Sequence, residues 1–313
     1  MRQVSWTGVY PAVTTKFTAE GALDISAFLH NIGQQVEAGV DGIIIGGSLG
    51  ESSTLSQEER LQLAEACLEK YGEQIDVILN IAEGATHSAI QLARLAEQIG
   101  VHGLMLLPPM MYKPTDQEVA NFFKAVASQT KLPILVYNNP VDYKIEITLD
   151  IFEQLSAFDN IQAVKESTRD ISNVTRMRNR FGNRFKILCG VDTLAMEELL
   201  MGADGWVAGL VDAFPRETVA IYRLTKTGRI DEALRIYRWF LPILELDISP
   251  QLVQNIKLAE VMTGMGTEHV RPPRHILVGE ERQRVVRILE HGIATRPELP
   301  DYKAIPLPKP PIA

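Results

Sequence analysis

Lys165 closes the run Ile161-Gln162-Ala163-Val164-Lys165, an apolar strand-like stretch, and Glu166 and Ser167 follow it. Lysine is seldom buried without a partner. Either a carboxylate pairs with it, or desolvation penalises its ammonium form and lowers its pKa. The free amine that results is a nucleophile, able to form a Schiff base with a carbonyl or to exchange into an existing imine. Tyr137 ends a second run, Pro133–Tyr137, ahead of Asn138, Asn139 and Pro140. A tyrosine at a strand terminus can relay a proton through its hydroxyl, or can be a core side chain with that hydroxyl satisfied. A third run ends in Gly46-Gly47-Ser48-Leu49-Gly50-Glu51. Its glycines let backbone N–H groups approach an anion, and Ser48 adds a hydroxyl donor. The Gly-Lys-Ser/Thr of a P-loop is absent, so a carboxylate is a better guest here than a nucleotide.

The elements that would position these residues follow from alternation along the chain. Eight short runs rich in Val, Ile and Leu recur: Gly8–Thr14, Gly42–Gly46, Asp76–Ile81, Gly103–Leu107, Pro133–Tyr137, Ile161–Lys165, Lys186–Cys189 and Gly205–Ala208. From the second onward they start about 20–35 residues apart, the length of a strand plus a crossover helix. Many are apolar on both faces, as in parallel sheets covered by helices. Helix signals fill the intervals. Ser56 precedes Gln57-Glu58-Glu59 as an N-cap, and Thr115 with Glu118 has the spacing of a capping box. Leu92, Leu95, Ala96 and Ile99 share one helical face. The pattern predicts an α/β protein of the (β/α)8 TIM-barrel class, with active-site residues at the C-terminal strand ends. An open doubly wound sheet fits less well, because no Gly-x-Gly-x-x-Gly follows the first strand. We expect the barrel core over residues 1–214 and a C-terminal helical extension over 215–295, with helices at Ile230–Leu246, Leu252–Met265 and Glu280–Leu289 broken by Pro272-Pro273. From Pro297, six prolines in 17 residues predict an extended or poorly ordered tail at 296–313.

Composition narrows the function. The 313 residues carry 31 Lys plus Arg against 39 Asp plus Glu, a net charge of −8 that argues against nucleic acid and against anionic membranes as partners. No apolar run approaches the ~18 residues of a membrane span, and Met1–Phe17 lacks a signal-peptide core, so we expect a cytoplasmic, soluble protein. Cys67 and Cys189 read as small buried hydrophobes. His30, His87, His102, His269, His275 and His291 form no metal-binding pattern, and His87 reads as a capping or surface residue at a helix start. No metal is expected. Met105–Met111 reads as packing, although Met110, Met111 and Tyr112 sit just past the fourth strand and could line a site.

Taken together, Gly47-Ser48-Leu49-Gly50-Glu51, Tyr137-Asn138-Asn139-Pro140, Lys165-Glu166-Ser167 and Gly190-Val191-Asp192 resemble the dihydrodipicolinate synthase / N-acetylneuraminate lyase family over roughly residues 5–295. The resemblance implies a barrel with a C-terminal helical extension, a homotetramer or homodimer, and catalysis by a Schiff-base lysine without a cofactor. Carried over, Lys165 is the Schiff-base residue and Tyr137 the proton shuttle, while Ser48 and the backbone around Leu49 hold the α-carboxylate of a small 2-oxo or 2-imino acid. Gly47, Asn139, Tyr143, Ser167, Gly190 and Val207 complete the implied substrate-binding set.

The departures from the synthases of the family concern the substrate. Leu49 has no hydroxyl where they carry the second of two threonines. Asp142 stands five residues after the strand tyrosine, where they carry an arginine for the second substrate's carboxylate. Met111, beside Tyr112, aligns with the tyrosine that reaches into a neighbouring subunit. Trp6-x-Gly8-Val9-x-Pro11-Ala12-Val13-Thr14-Thr15, Tyr143-Lys144 and Arg271-Pro272-Pro273-Arg274 are instead similar to the 1-pyrroline-4-hydroxy-2-carboxylate deaminases of hydroxyproline breakdown. That branch implies dehydration and deamination to 2-oxoglutarate semialdehyde. The alternatives are the 4-hydroxy-tetrahydrodipicolinate synthase reaction, another pyruvate-type aldol cleavage, and, in a different class, a non-catalytic 2-oxo-acid-binding regulatory barrel, which Leu49 keeps open.

Overall fold

Residues 3–307 are described by the structure, a computed structural model. All eight expected runs are strands: β1 (Gly8–Pro11), β2 (Gly42–Ile45), β3 (Asp76–Ile81), β4 (Gly103–Leu106), β5 (Ile134–Asn138), β6 (Ile161–Glu166), β7 (Lys186–Cys189) and β8 (Gly205–Ala208). They pair in parallel in the order β1-β8-β7-β6-β5-β4-β3-β2. The ring closes through a parallel bridge between Ala12 and Ile44, just past β1. This is a (β/α)8 TIM barrel. Nearly every strand residue is buried, which is why the runs read as apolar on both faces: one face fills the barrel and the other is covered by helices. β1 stops at Pro11, earlier than the run to Thr14, because the chain beyond it turns toward buried polar partners. Thr14 Oγ1 donates to Glu260 across 2.5 Å and Lys16 pairs with Glu260 at 3.1 Å.

The predicted caps are present. Ser56 opens the helix Gln57–Tyr71 and Thr115 opens Asp116–Ala127, each in a capping box, with Glu59 and Glu118 as the reciprocal partners. The helix Thr86–Ile99 buries Leu92 and Ala96, while His87 is exposed near its start. Cys67 and Cys189 are free and buried. No helix among the described residues is long and apolar enough to cross a membrane.

Two boundaries differ from expectation. The helix after β8, Pro215–Lys226, packs against β1, β8 and the helix Ile25–Ala38, so it belongs to the barrel's outer ring. A cut at residue 214 would strip the barrel of a covering helix, and the extension proper starts at Ile230. Its helices are Ile230–Leu244, Leu252–Thr263 and Gly279–Ala294. Between the first two, a 3-10 turn at Glu245–Ile248 crosses the barrel mouth. The first part of the tail is docked rather than loose. Tyr302 is buried and donates to Ala38 O across 3.1 Å, and Arg223 donates to Ile305 O across 3.2 Å. An aromatic anchor of this kind offsets the ordering cost that proline-rich composition suggests. Residues 308–313, with the remaining prolines of the predicted tail, lie outside the described residues.

Candidate active site

Strand register brings the first two candidates together. Tyr137 and Lys165 are direct Cα partners on β5 and β6, so their side chains leave the sheet on the same face. That face is the barrel interior. Glu166, one residue on, points the other way, accepting from Asn173 Nδ2 across 2.7 Å beneath a covering helix. Lys165 Nζ lies 4.1 Å from the centroid of the Tyr137 ring. It makes no ion pair among the described residues. Burial holds its amine below the usual lysine range, partly opposed by Tyr143, Asp247 and Asp192 nearby. This is the environment that leaves a lysine amine free to act as a nucleophile.

Tyr137 is buried too. Its hydroxyl accepts from Asn139 Nδ2 across 3.1 Å, and burial pushes the phenol up to about 12. Asn139 caps the short helix Pro140–Tyr143, accepting from Asp142 N while donating to the Asp142 carboxylate across 2.7 Å. That helix delivers Tyr143 against Tyr137 edge-to-face, with ring centroids 5.6 Å apart. The Tyr143 hydroxyl in turn hydrogen-bonds the hydroxyl of Ser48. Two phenols and a serine hydroxyl therefore line one side of the mouth.

The glycine-rich loop after β2 faces them. Ser48 and Leu49 have backbone N–H groups with no acceptor among the described residues, while the loop's outer turns are closed by Glu51 N to Ser48 O and Ser52 N to Gly47 O. The loop is anchored from outside the barrel. Glu51, fully buried and at φ 57, pairs with Lys257 Nζ at 2.5 Å and accepts from Arg271 N across 3.1 Å. Lys257 and Arg271 belong to the extension, so buried charge fixes the position of the two free N–H groups.

Gly190, past β7, cannot be any other residue without displacement. A methyl group there would overlap Ser167 Oγ and would stand 2.7 Å from Lys165 Cε. Ser167 Oγ is buried beside it, within reach of the Tyr137 hydroxyl. Asp192 is fully engaged in holding the β8 end: it accepts from Trp206 Nε1 across 2.9 Å and from Leu210 N across 2.8 Å.

All ten residues singled out from the sequence, Gly47, Ser48, Leu49, Tyr137, Asn139, Tyr143, Lys165, Ser167, Gly190 and Val207, line a single cavity at the C-terminal end of the strands. Its volume is about 80 Å³. At roughly 10–15 Å³ per water on the same measure, that accepts a molecule of a few heavy atoms. Met110, Met111 and Tyr112 do not reach it. Met111 is 83% exposed and Tyr112 54%, on the loop outside the mouth, whereas Met105 lies in the cavity wall.

Two charged cavity residues escape sequence reasoning. Arg169, at φ 62 just past β6, sends its guanidinium to within 3.8 Å of Asp142 Oδ1. Asp247, on the 3-10 turn of the extension, is half-buried over Gly209, where an added methyl would come within 2.6 Å of its Oδ1. Burial, then the Asp192 charge, pushes the Asp247 carboxyl up to about 8. No local pattern marks Asp247. It follows an amphipathic helix as one more polar residue before Ser249-Pro250, and only the docking of the extension aims it inward.

The family model described as "Dihydrodipicolinate synthetase family" matches residues 5–292. The 4-hydroxy-tetrahydrodipicolinate synthase of Aquifex aeolicus is 30% identical over 284 residues, covering 90% of this chain and 96% of that protein. The enzyme of the same name from Oceanobacillus iheyensis is 28% identical over 282 residues, covering 90% and 95%. Among solved structures, the 4-hydroxy-tetrahydrodipicolinate synthase of Methylacidiphilum fumariolicum superposes with a TM-score of 0.88 at 30% identity, over 92% of this chain and 96% of that one.

Proposed function

The chain belongs to the dihydrodipicolinate synthetase family of lysine Schiff-base enzymes, and on that premise we propose that it dehydrates and deaminates 1-pyrroline-4-hydroxy-2-carboxylate. In this reading the N–H groups of Ser48 and Leu49, with the Ser48 hydroxyl, hold the carboxylate. Lys165 attacks C2 of the cyclic imine, and transimination opens the ring, leaving the ring nitrogen as an amine on C5. The lysine imine acidifies C3. Loss of the C3 proton and of the C4 hydroxyl as water leaves an unsaturated imine, which tautomerises to an imine at C5. Hydrolysis at C5 and at C2 releases ammonia, 2-oxoglutarate semialdehyde and free Lys165. One water leaves and two enter. Tyr137, beside the lysine amine, is the group placed to carry protons between nitrogen and carbon.

The observation that carries this reading is Asp142. Synthesis from pyruvate needs a cation for the carboxylate of the second substrate. Here that place holds a carboxylate, hydrogen-bonded to Asn139, with the Arg169 guanidinium 3.8 Å away. The relatives' names favour a second reading, 4-hydroxy-tetrahydrodipicolinate synthase, and support it better than they support the deaminase.

One experiment separates the two. Purified protein is assayed in parallel with the cyclic imine and with pyruvate plus aspartate semialdehyde, each with borohydride trapping. We expect ammonia and semialdehyde from the imine, and a reduced adduct on Lys165. Turnover of the pyruvate pair without turnover of the imine establishes the synthase instead. An adduct on any other lysine removes Lys165 as the nucleophile.

A further inference from the structure

The cavity has two chemically different sides. On the β5–β2 side stand hydroxyls: Tyr137, Tyr143 and Ser48. On the β7–β8 side the barrel contributes Gly190, Val191, Val207, Ala208 and Gly209, none of which can donate or accept a proton through its side chain. The extension covers that side with Ile248, Leu252 and Asp247. Asp247 is thus the one side chain on this wall with proton chemistry, and it makes no hydrogen bond or ion pair with another described residue. The charged groups nearest it are Asp192 behind β7, Lys165 on β6, and Asp142 and Arg169 on the loops after β5 and β6.

A substrate held by its carboxylate at Ser48 and Leu49 and joined to Lys165 through C2 directs its remaining carbons away from the glycine-rich loop, onto the β7–β8 wall. We propose, resting on the deaminase reading above, that Asp247 is the acid that protonates the departing C4 hydroxyl. In that step the Lys165 enamine nitrogen re-forms its double bond to C2, and the C2=C3 pair becomes C3=C4. The C4–O pair leaves with the oxygen, which takes the Asp247 proton and departs as water. Asp247 is left as a carboxylate, which recovers a proton from water when product leaves. A carboxyl pushed up to about 8 carries the required proton at neutral pH.

The test compares wild type with Asp247→Asn on two substrates: the 4-hydroxy imine, and its 4-chloro analogue, whose chloride leaves without a proton. Borohydride trapping at Lys165 reports imine formation separately. We expect Asp247→Asn to trap as wild type does and to lose about 10²-fold or more on the hydroxy substrate. On the chloro substrate we expect it to stay within a few-fold of wild type. Asp247→Ser is the second variant, and should behave alike. Equal losses on both substrates, no loss on the hydroxy substrate, or loss of trapping in both variants overturns the role of Asp247 while leaving the deaminase in place. Failure of wild type to turn over the hydroxy imine overturns the deaminase reading itself, and this inference with it.

Discussion

Gly190→Ala is the smallest change that reaches the Lys165 side chain without replacing any polar group of the cavity. The added methyl stands 2.7 Å from Lys165 Cε, and ordinary carbon contacts begin near 3.4 Å, so Cε must retreat by about 0.7 Å or the strand end must move. The strand end is pinned, since Gly190 N donates to Glu166 O across 2.7 Å. The methyl also overlaps Ser167 Oγ, which can rotate. Overpacking of this order costs about 1–3 kcal/mol of stability. Misplacing a reacting atom by about 1 Å costs roughly 10²-fold in rate, so a displacement of about 0.7 Å predicts a loss between about 10-fold and 10²-fold. The assay is the rate of borohydride-trapped adduct at Lys165, read beside a urea unfolding curve. Adding Ser167→Ala to Gly190→Ala removes the hydroxyl overlap but leaves the lysine overlap. The double variant should not recover trapping rate. Wild-type trapping in Gly190→Ala, or full recovery in the double variant, would refute the claim that Gly190 sets the position of the amine.

Tyr137→Phe should lower kcat by about 10²–10⁴-fold with Lys165 still trappable, and an unchanged kcat would remove Tyr137 from proton transfer. Lys257→Met strands a fully buried Glu51 carboxylate and should cost about 3–5 kcal/mol in urea unfolding. A loss under about 1 kcal/mol would show that the pair does not hold the loop. Glu198 is buried behind β7 with the Cys189 thiol beside it, and burial pushes its carboxyl up to about 9. The folded state then holds a proton that the unfolded state releases near 4.5, so Glu198 removes stability as pH rises from about 4.5 to about 9. Glu198→Gln should flatten that fall, seen as Tm against pH from 5 to 9. Parallel curves for wild type and variant would mean the group is ionised in the folded protein.

The barrel was legible because its strands are buried on both faces and its helices announce themselves with Ser56 and Thr115 caps. The candidate site was legible where a strand presented an improbable residue, as at Lys165, which lines the cavity. Tyr143 entered through the resemblance alone, and its tie to Ser48 depends on the turn that Asn139 caps, which no periodicity encodes. Asp247 and Arg169 were not legible. The first depends on how the extension lies across the mouth, the second on a left-handed residue beyond β6. The docking of the tail was not legible because composition reports the entropy of a free chain, whereas Tyr302 is anchored on the helix Ile25–Ala38 by a contact far away in sequence.

The buried bond between Glu51 and Lys257 spans 206 residues of chain. It makes the glycine-rich loop and the helix Leu252–Thr263 a single cooperative unit, because neither can open without exposing or stranding the charge of the other. Amide protons of Glu51 and Ser52, which are hydrogen-bonded within the loop, and of the mid-helix residues around Lys257 should therefore exchange with one common opening energy. Losing the extension would release the loop that carries the Ser48 and Leu49 N–H groups, even with every barrel strand intact.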